Sequence, residues 1–200
     1  RNPQEIADLA EYGPGKKIGR WEIMNLLDEG GFGKVYKAKN DSTEGPPFAA
    51  FKIESLNMDG GSAIKLECAV LQKIHGSGVK KPHVPCLYRS FKRKNVCYMI
   101  VDLLSKNLKR VKEETFQGKP FPPRTWSRIA LQCLYGLKVV HDSGFVHRDL
   151  KLANFMLGDH SNRVLARCVY ILDFGLSREF VVTGSDGSRY IRRPRKNCEF

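Results

Sequence analysis

The sequence predicts an α+β chain of two lobes, a β-rich first lobe and the opening part of an α-rich second one. Three observations carry that expectation. Apolar and polar residues alternate through much of the first hundred positions, apolar residues switch to helical spacing near Trp126, and a basic, polar stretch at 105–114 divides the two patterns. The 200 residues suffice for one domain or for two small lobes around a cleft.

The elements follow in order. Trp21 to Leu27 alternates, a glycine cluster interrupts it, and Val35 to Lys39 resumes the pattern, which reads as a hairpin across a glycine-rich turn. A third strand runs from Phe48 to Ile53 after the loop Gly45-Pro46-Pro47. Ile64, Cys68, Leu71 and Ile74 share one helical face, and Gly76 is the stop signal. Strand-like runs return at 84–88 and 96–103. Trp126, Ile129, Cys133, Leu137 and Val140 mark a long amphipathic helix that ends near Gly144. Short strands are expected around 155–157 and 169–172. The tail from Thr183 is rich in Gly, Ser and Arg and lacks core periodicity. The expected division is an N-terminal extension at 1–18, a first lobe at 19–104 and a partial second lobe at 105–200.

Composition narrows the setting. The longest apolar run, 96–101, is far too short to span a bilayer, so no membrane partner is expected. Six cysteines are scattered with no Cys-x-x-Cys pair, which points to reduced thiols in an intracellular protein of the cytoplasm, the nucleus or both. The formal net charge of +13 permits nucleic acid, acidic membranes or acidic proteins as partners without choosing among them. The chain does not begin with Met and carries no signal pattern, so it reads as a piece of a longer protein.

Four motifs carry chemistry. In Glu29-Gly30-Gly31-Phe32-Gly33-Lys34-Val35, glycines between two strands let the backbone close over phosphates. Taken alone, the same residues fit a ligand-free turn. They are not a P-loop, because Val35 follows Gly33-Lys34 where Ser or Thr would bind Mg²⁺. Lys52 closes the apolar strand Ala49-Ala50-Phe51, and Glu67 on the following helix is the carboxylate placed to hold it. In His147-Arg148-Asp149-Leu150-Lys151-Leu152-Ala153-Asn154, Asp149 can accept a hydroxyl proton, Lys151 can offset phosphoryl charge and Asn154 can ligate a metal ion. Asp173-Phe174-Gly175 follows the apolar run Tyr170-Ile171-Leu172 and offers a second metal ligand, Asp173. Each short motif has a bland reading. Their joint order matches the known protein-kinase set.

From about Trp21 onward the chain therefore resembles the eukaryotic protein kinases, and within them the casein kinase 1 superfamily, tau-tubulin kinase-like branch. The narrower resemblance rests on Phe51-Lys52-Ile53-Glu54-Ser55, Leu66-Glu67-Cys68-Ala69-Val70-Leu71, Asn154-Phe155-Met156-Leu157-Gly158, the stretch 170–178 and Arg192-Arg193-Pro194-Arg195. It implies a bilobal kinase fold with a complete N-lobe and a partial C-lobe. It implies ATP-dependent phosphorylation of serine or threonine, with ATP and Mg²⁺ as cofactors and protein substrates as partners. Leu27, Asp28, Glu29 and Lys34 would border the nucleotide with the glycine loop. Val35, Ala50 and Met156 would enclose adenine together with Leu27. Val101 would back the pocket, and Asp102 to Leu104 would form the hinge. Leu71, His147 and Phe174 would stack between the lobes.

Several positions depart from the family pattern. Asp28 stands where the first glycine of the loop is usual, and Leu152 replaces a proline. The interval between Asp149 and Asp173 is long, so a turn at 158–167 is expected to carry an insertion. The C-lobe helices beyond the activation segment are absent, so the helix at 126–140 is expected to expose apolar surface, and the isolated piece is expected to be poorly stable or inactive. Arg192, Arg193 and Arg195 read as an anion site for acidic or phosphorylated substrates, and no nucleic-acid partner is expected because no aromatic platform accompanies them. A nucleotide-binding pseudokinase and a basic partner-binding module are the alternatives.

Overall fold

The protein is described by a computed structural model over residues 3–30, 33–57, 62–76 and 78–193. It opens with α1 (Pro3–Ala10), β1 (Lys17–Ile18), β2 (Trp21–Gly30), β3 (Gly33–Asn40), β4 (Phe48–Ser55) and α2 (Ile64–Ile74). Then come β5 (Leu87–Arg93), β6 (Val96–Asp102), β7 (Leu104–Asn107), α3 (Leu108–Phe116) and α4 (Pro123–Asp142). The rest is short: β8 (Phe145–Val146), β9 (Phe155–Gly158), β10 (Val169–Ile171), β11 (Arg178–Glu179), β12 (Val181–Thr183) and β13 (Arg189–Ile191).

The first six strands form one antiparallel sheet in the order β1-β2-β3-β4-β6-β5. Its central strand β4 shows why the alternation matters. Ala49, Phe51 and Ile53 are fully buried on the outer face with Trp21, Ile23, Tyr98 and Ile100, while Ala50, Lys52 and Glu54 occupy the other face. That outer face needs a cover. Leu9 and Tyr12 supply it, with Tyr12 stacked on Phe51 at 6.5 Å between ring centroids. The carboxylate of Asp8 accepts hydrogen bonds from Ser55 Oγ (3.1 Å) and Asn57 Nδ2 (2.7 Å). Residues 3–18 are thus built into the first lobe, a role the polar sequence of that stretch did not announce.

Helix α2 packs on the inner face through Ile64, Cys68, Val70, Leu71 and Ile74. The segment after it is a loop where a strand was expected at 84–86, because Val84 turns into the core and β5 starts only at Leu87. The loop is tied to the second lobe: His83, at a φ of 61°, hydrogen-bonds Val169 O through Nδ1 (2.7 Å) and accepts from Ile171 N (2.9 Å).

The polar stretch at 105–114 is structured as β7 and α3. Its one deeply buried side chain, Leu108, anchors the helix, and Asn107 Oδ1 accepts from Arg110 N at 2.8 Å as an N-cap. The polarity reflects a helix exposed on most sides. In α4, which starts earlier than expected at Pro123, Gly136 and Val140 are buried, while Trp126, Leu131, Leu134 and Tyr135 are exposed. The expected long turn at 158–167 is compact: a Cβ on Gly158 would lie 2.2 Å from Leu165 O, so only glycine lets the chain fold back there. The tail is more ordered than its composition suggests, since β12 and β13 pair as a hairpin that puts Arg192 N 2.7 Å from Phe180 O. Among the described residues, Cys68, Cys86, Cys97, Cys133 and Cys168 are free, and no helix is long and apolar enough to cross a membrane.

Candidate active site

The first wall of the cleft is the inner face of β4. Lys52 stands opposite Val35 on β3 and Met99 on β6, and its ammonium pairs with Glu67 of α2. Glu67 is 2% exposed and Lys52 is half-buried, so the pair is closed on the Glu67 side and open on the Lys52 side. Burial works against the Lys52 ammonium, but attraction from Glu67 and Glu54 outweighs it and holds the group above the usual lysine range. Glu54 was not singled out as a site residue from sequence. It lies 3.2 Å from Lys52 Nζ, and the signal was available, because residues two apart on a strand face the same way.

The glycine-rich hairpin reaches over this strand. Gly30 pairs with Gly33, and Gly33 has a φ of 150°. A Cβ on Gly33 would lie 2.1 Å from Ile53 O, so a side chain there would push the hairpin off β4. Asp28, opposite Val35, accepts a hydrogen bond from Glu29 N at 2.9 Å, so its carboxylate is engaged with its own loop. Glu29 and Lys34 approach to 3.8 Å. Leu27 is exposed on β2. Gly31 and Phe32 lie outside the described residues, as does Arg195.

The second wall is the loop 147–154. His147 is 1% exposed; its Nε2 bonds Leu172 O at 2.7 Å, and its ring meets Phe174 edge-on at 5.3 Å. Burial pushes His147 below the usual histidine range. Arg148 takes a φ of 69° and donates from Nε to Leu176 O at 2.6 Å. That turn presents Asp149, whose Oδ2 accepts from Lys151 Nζ (2.6 Å) and Asn154 Nδ2 (2.9 Å). The Lys151 hydrogen bond leads in holding the Asp149 carboxyl below the usual carboxylate range, so it is an ionised acceptor at neutral pH. Asn154 Nδ2 also donates to Asp149 O at 2.8 Å, which leaves Oδ1 as the atom suited to a cation. Asp173, at a φ of 63°, follows β10 and accepts from Gly175 N at 3.4 Å. A Cβ on Gly175 would lie 2.8 Å from Ala63 Cβ, so this glycine allows Asp173-Phe174-Gly175 to seat against the start of α2.

Between the walls, Val101 is buried opposite Ala50, Met156 is half-buried opposite Tyr170, and Leu104 pairs with Gly158. Leu71, His147 and Phe174 are buried in one region, as the resemblance implies. Asp102 differs from a simple hinge residue. Its carboxylate accepts from Cys86 N (2.8 Å) and Tyr88 OH and pairs with Lys80 (3.2 Å), while its own N–H donates to Cys86 O (3.2 Å). It fastens the end of β6 to the segment entering β5. Arg192 and Arg193 are exposed beyond the β12–β13 hairpin, in no contact that joins them to Asp149 among the described residues.

The donor set fits a nucleotide triphosphate with Mg²⁺: a held ammonium for phosphate oxygens, and one amide oxygen and one carboxylate for the metal. Among the described residues no three His, Cys, Asp or Glu side chains form a metal cage. Mg²⁺ carried on substrate phosphates needs only one or two protein carboxylates.

Comparison with known proteins gives the same picture. The chain matches the protein kinase domain family over residues 21–192. It is 34% identical over 181 residues to K06H7.1 of Caenorhabditis elegans, a protein whose name places it with the serine/threonine-protein kinases; the match covers 90% of this chain and 50% of that protein. It is 37% identical over 137 residues to the inactive tau-tubulin kinase ttbk-6 of the same organism, covering 68% of this chain and 47% of the relative. A C. elegans protein named for casein kinase I, C03C10.2, is 32% identical over 167 residues, covering 82% of this chain and 46% of the relative. The chain thus spans about half the length of these relatives.

Proposed function

This chain belongs to the protein kinase family, and from that premise we propose that it is the nucleotide-binding and catalytic-loop part of an enzyme that phosphorylates serine and threonine in proteins. The observation that carries the reading is the pairing of two held groups: Lys52 between buried carboxylates on one wall, and Asp149 bonded to Lys151 and Asn154 on the other. ATP with Mg²⁺ supplies the phosphoryl group and offsets its charge. Lys52 would bind the phosphate oxygens, and Asn154 and Asp173 would hold the metal ion. Asp149 orients the incoming hydroxyl and accepts its proton, while Lys151 balances charge beside it.

The substrate preference proposed is for acidic or already phosphorylated segments. A cleft of about 590 Å³ beside the catalytic loop is lined by Lys109, Lys112 and Lys151 against the single carboxylate of Glu113, and Arg192, Arg193 and Arg195 add cationic side chains further along the chain. Guanidinium and ammonium groups suit phosphate and carboxylate recognition. The reduced-thiol composition supports an intracellular setting.

Radiolabelled ATP transfer to acidic, primed and neutral peptides tests this reading, with Asp149→Asn as control. Transfer abolished by that change and favouring acidic or primed peptides is expected. ATP-dependent stabilisation without transfer would instead favour a nucleotide-binding pseudokinase, a reading encouraged by the similarity to a relative named inactive.

A further inference from the structure

The buried titratable group that phosphotransfer chemistry leaves unused is Glu54. It is 1% exposed, on the inner face near the C-terminal end of β4. Its two oxygens are spent differently. Oε2 accepts from Ser62 Oγ (2.8 Å) and Ala63 N (2.9 Å), just before α2, and from Ile64 N (3.3 Å), its first residue. The N-cap residue, Ala63, has no polar side chain to cap the helix; Ser62 Oγ accepts from Ile64 N at 3.2 Å, and Glu54 on β4 supplies the further cap. Among the described residues Oε1 has no hydrogen-bond partner, and it lies 3.2 Å from Lys52 Nζ as an ion pair.

A fully buried carboxylate is costly unless its charge is paired, and the charge that pairs Oε1 is the Lys52 ammonium. The geometry points to Glu54 as a positioning residue that fixes Lys52 from its own strand while Glu67 fixes it from α2, and that ties the start of α2 to the same strand. An ammonium held from two sides has fewer orientations to lose when it meets phosphate oxygens. Only a glutamate fits the span. Aspartate is one methylene shorter and cannot reach the α2 amides and Lys52 together, and Gly33 leaves no slack because a Cβ there would already lie 2.9 Å from Glu54 Cγ. Lys52 also feels Glu67 and Asp173, so Glu54 is one of three carboxylates around it, and it is the one that meets the start of α2.

This inference rests on the kinase reading for its consequence but not for its test. Glu54→Gln keeps a carbonyl oxygen for the α2 amides and removes the charge beside Lys52; Glu54→Ala removes both. Three quantities are measured on the 200-residue chain: affinity for a fluorescent ADP analogue in magnesium buffer, amide exchange at Ala63 and Ile64, and the acylation rate of Lys52 by acetic anhydride without nucleotide. For Glu54→Gln the expected result is about tenfold weaker nucleotide binding, faster acylation of Lys52 and unchanged amide protection. Glu54→Ala should lose the amide protection as well. The inference is overturned if Glu54→Gln leaves Lys52 acylation unchanged, which would make Glu54 a cap alone, or if it loses amide protection as fully as Glu54→Ala. Should the unsubstituted chain bind no nucleotide, the kinase reading fails, while the acylation rates still decide the role of Glu54.

Discussion

The two walls of the cleft are built in opposite ways. The catalytic loop assembles itself: Asp149, Lys151 and Asn154 are bonded to one another within six residues, and His147 and Arg148 anchor the same loop to Leu172 and Leu176. The Lys52 wall is assembled from a distance, since its partners arrive from β3, β6 and α2 across a sheet whose opposite face is closed by α1. A locally built site concentrates its chemistry in a few side chains. A site built across the sheet makes its chemistry depend on the core.

That contrast can be broken by substitution. Asp149→Asn removes the acceptor without touching the core, so phosphotransfer should fall by about 10²- to 10⁴-fold while the thermal midpoint hardly moves. A comparable loss of folding would mean the loop is less self-contained than its bonds suggest. Phe51→Ala, one residue from Lys52 but on the outer face, should cost about 3–5 kcal/mol in a urea melt and weaken nucleotide binding with it, because the wall fails as a unit. Stability without Phe51 close to that of the unsubstituted chain would dissolve the distinction.

A smaller effect tests the buried anchor of the loop. Burial lowers the His147 pKa in the folded state, so below about 6.5 the unfolded chain takes up a proton that the folded chain refuses. Stability should therefore fall as pH drops through that value and level off once the folded-state pKa is passed. His147→Gln should flatten this part of the profile in denaturant titrations. The smallest effect belongs to the face of α4 that neither wall uses: Leu134, at 65% exposed, should cost less than about 0.5 kcal/mol when replaced by Ala. A larger loss in a chemical melt would show that this face is covered in solution.

The same contrast explains what could be read in advance. The eight residues from His147 to Asn154 name their chemistry because their partners are their neighbours, and the long helix and β2–β3 hairpin follow from periodicity and glycine placement. The tail hairpin was missed because paired strands outside a core need no apolar alternation, and all three residues of β13 are exposed. The stretch 105–114 hid a helix because a single buried leucine anchors it.

By itself the sequence determined the two-lobed α+β plan and singled out Lys52, Glu67, Asp149, Asn154 and Asp173 as candidates, since motif order and local spacing are written along the chain. Tertiary structure alone decided that Leu9 and Tyr12 close the outer face of the sheet, that Asp102 fastens the end of β6, and that Glu54, beside Lys52 on one strand, has its other oxygen on α2. Those roles exist only once strands and helix are brought together, because a buried carboxylate takes its function from whatever donors the fold places around it.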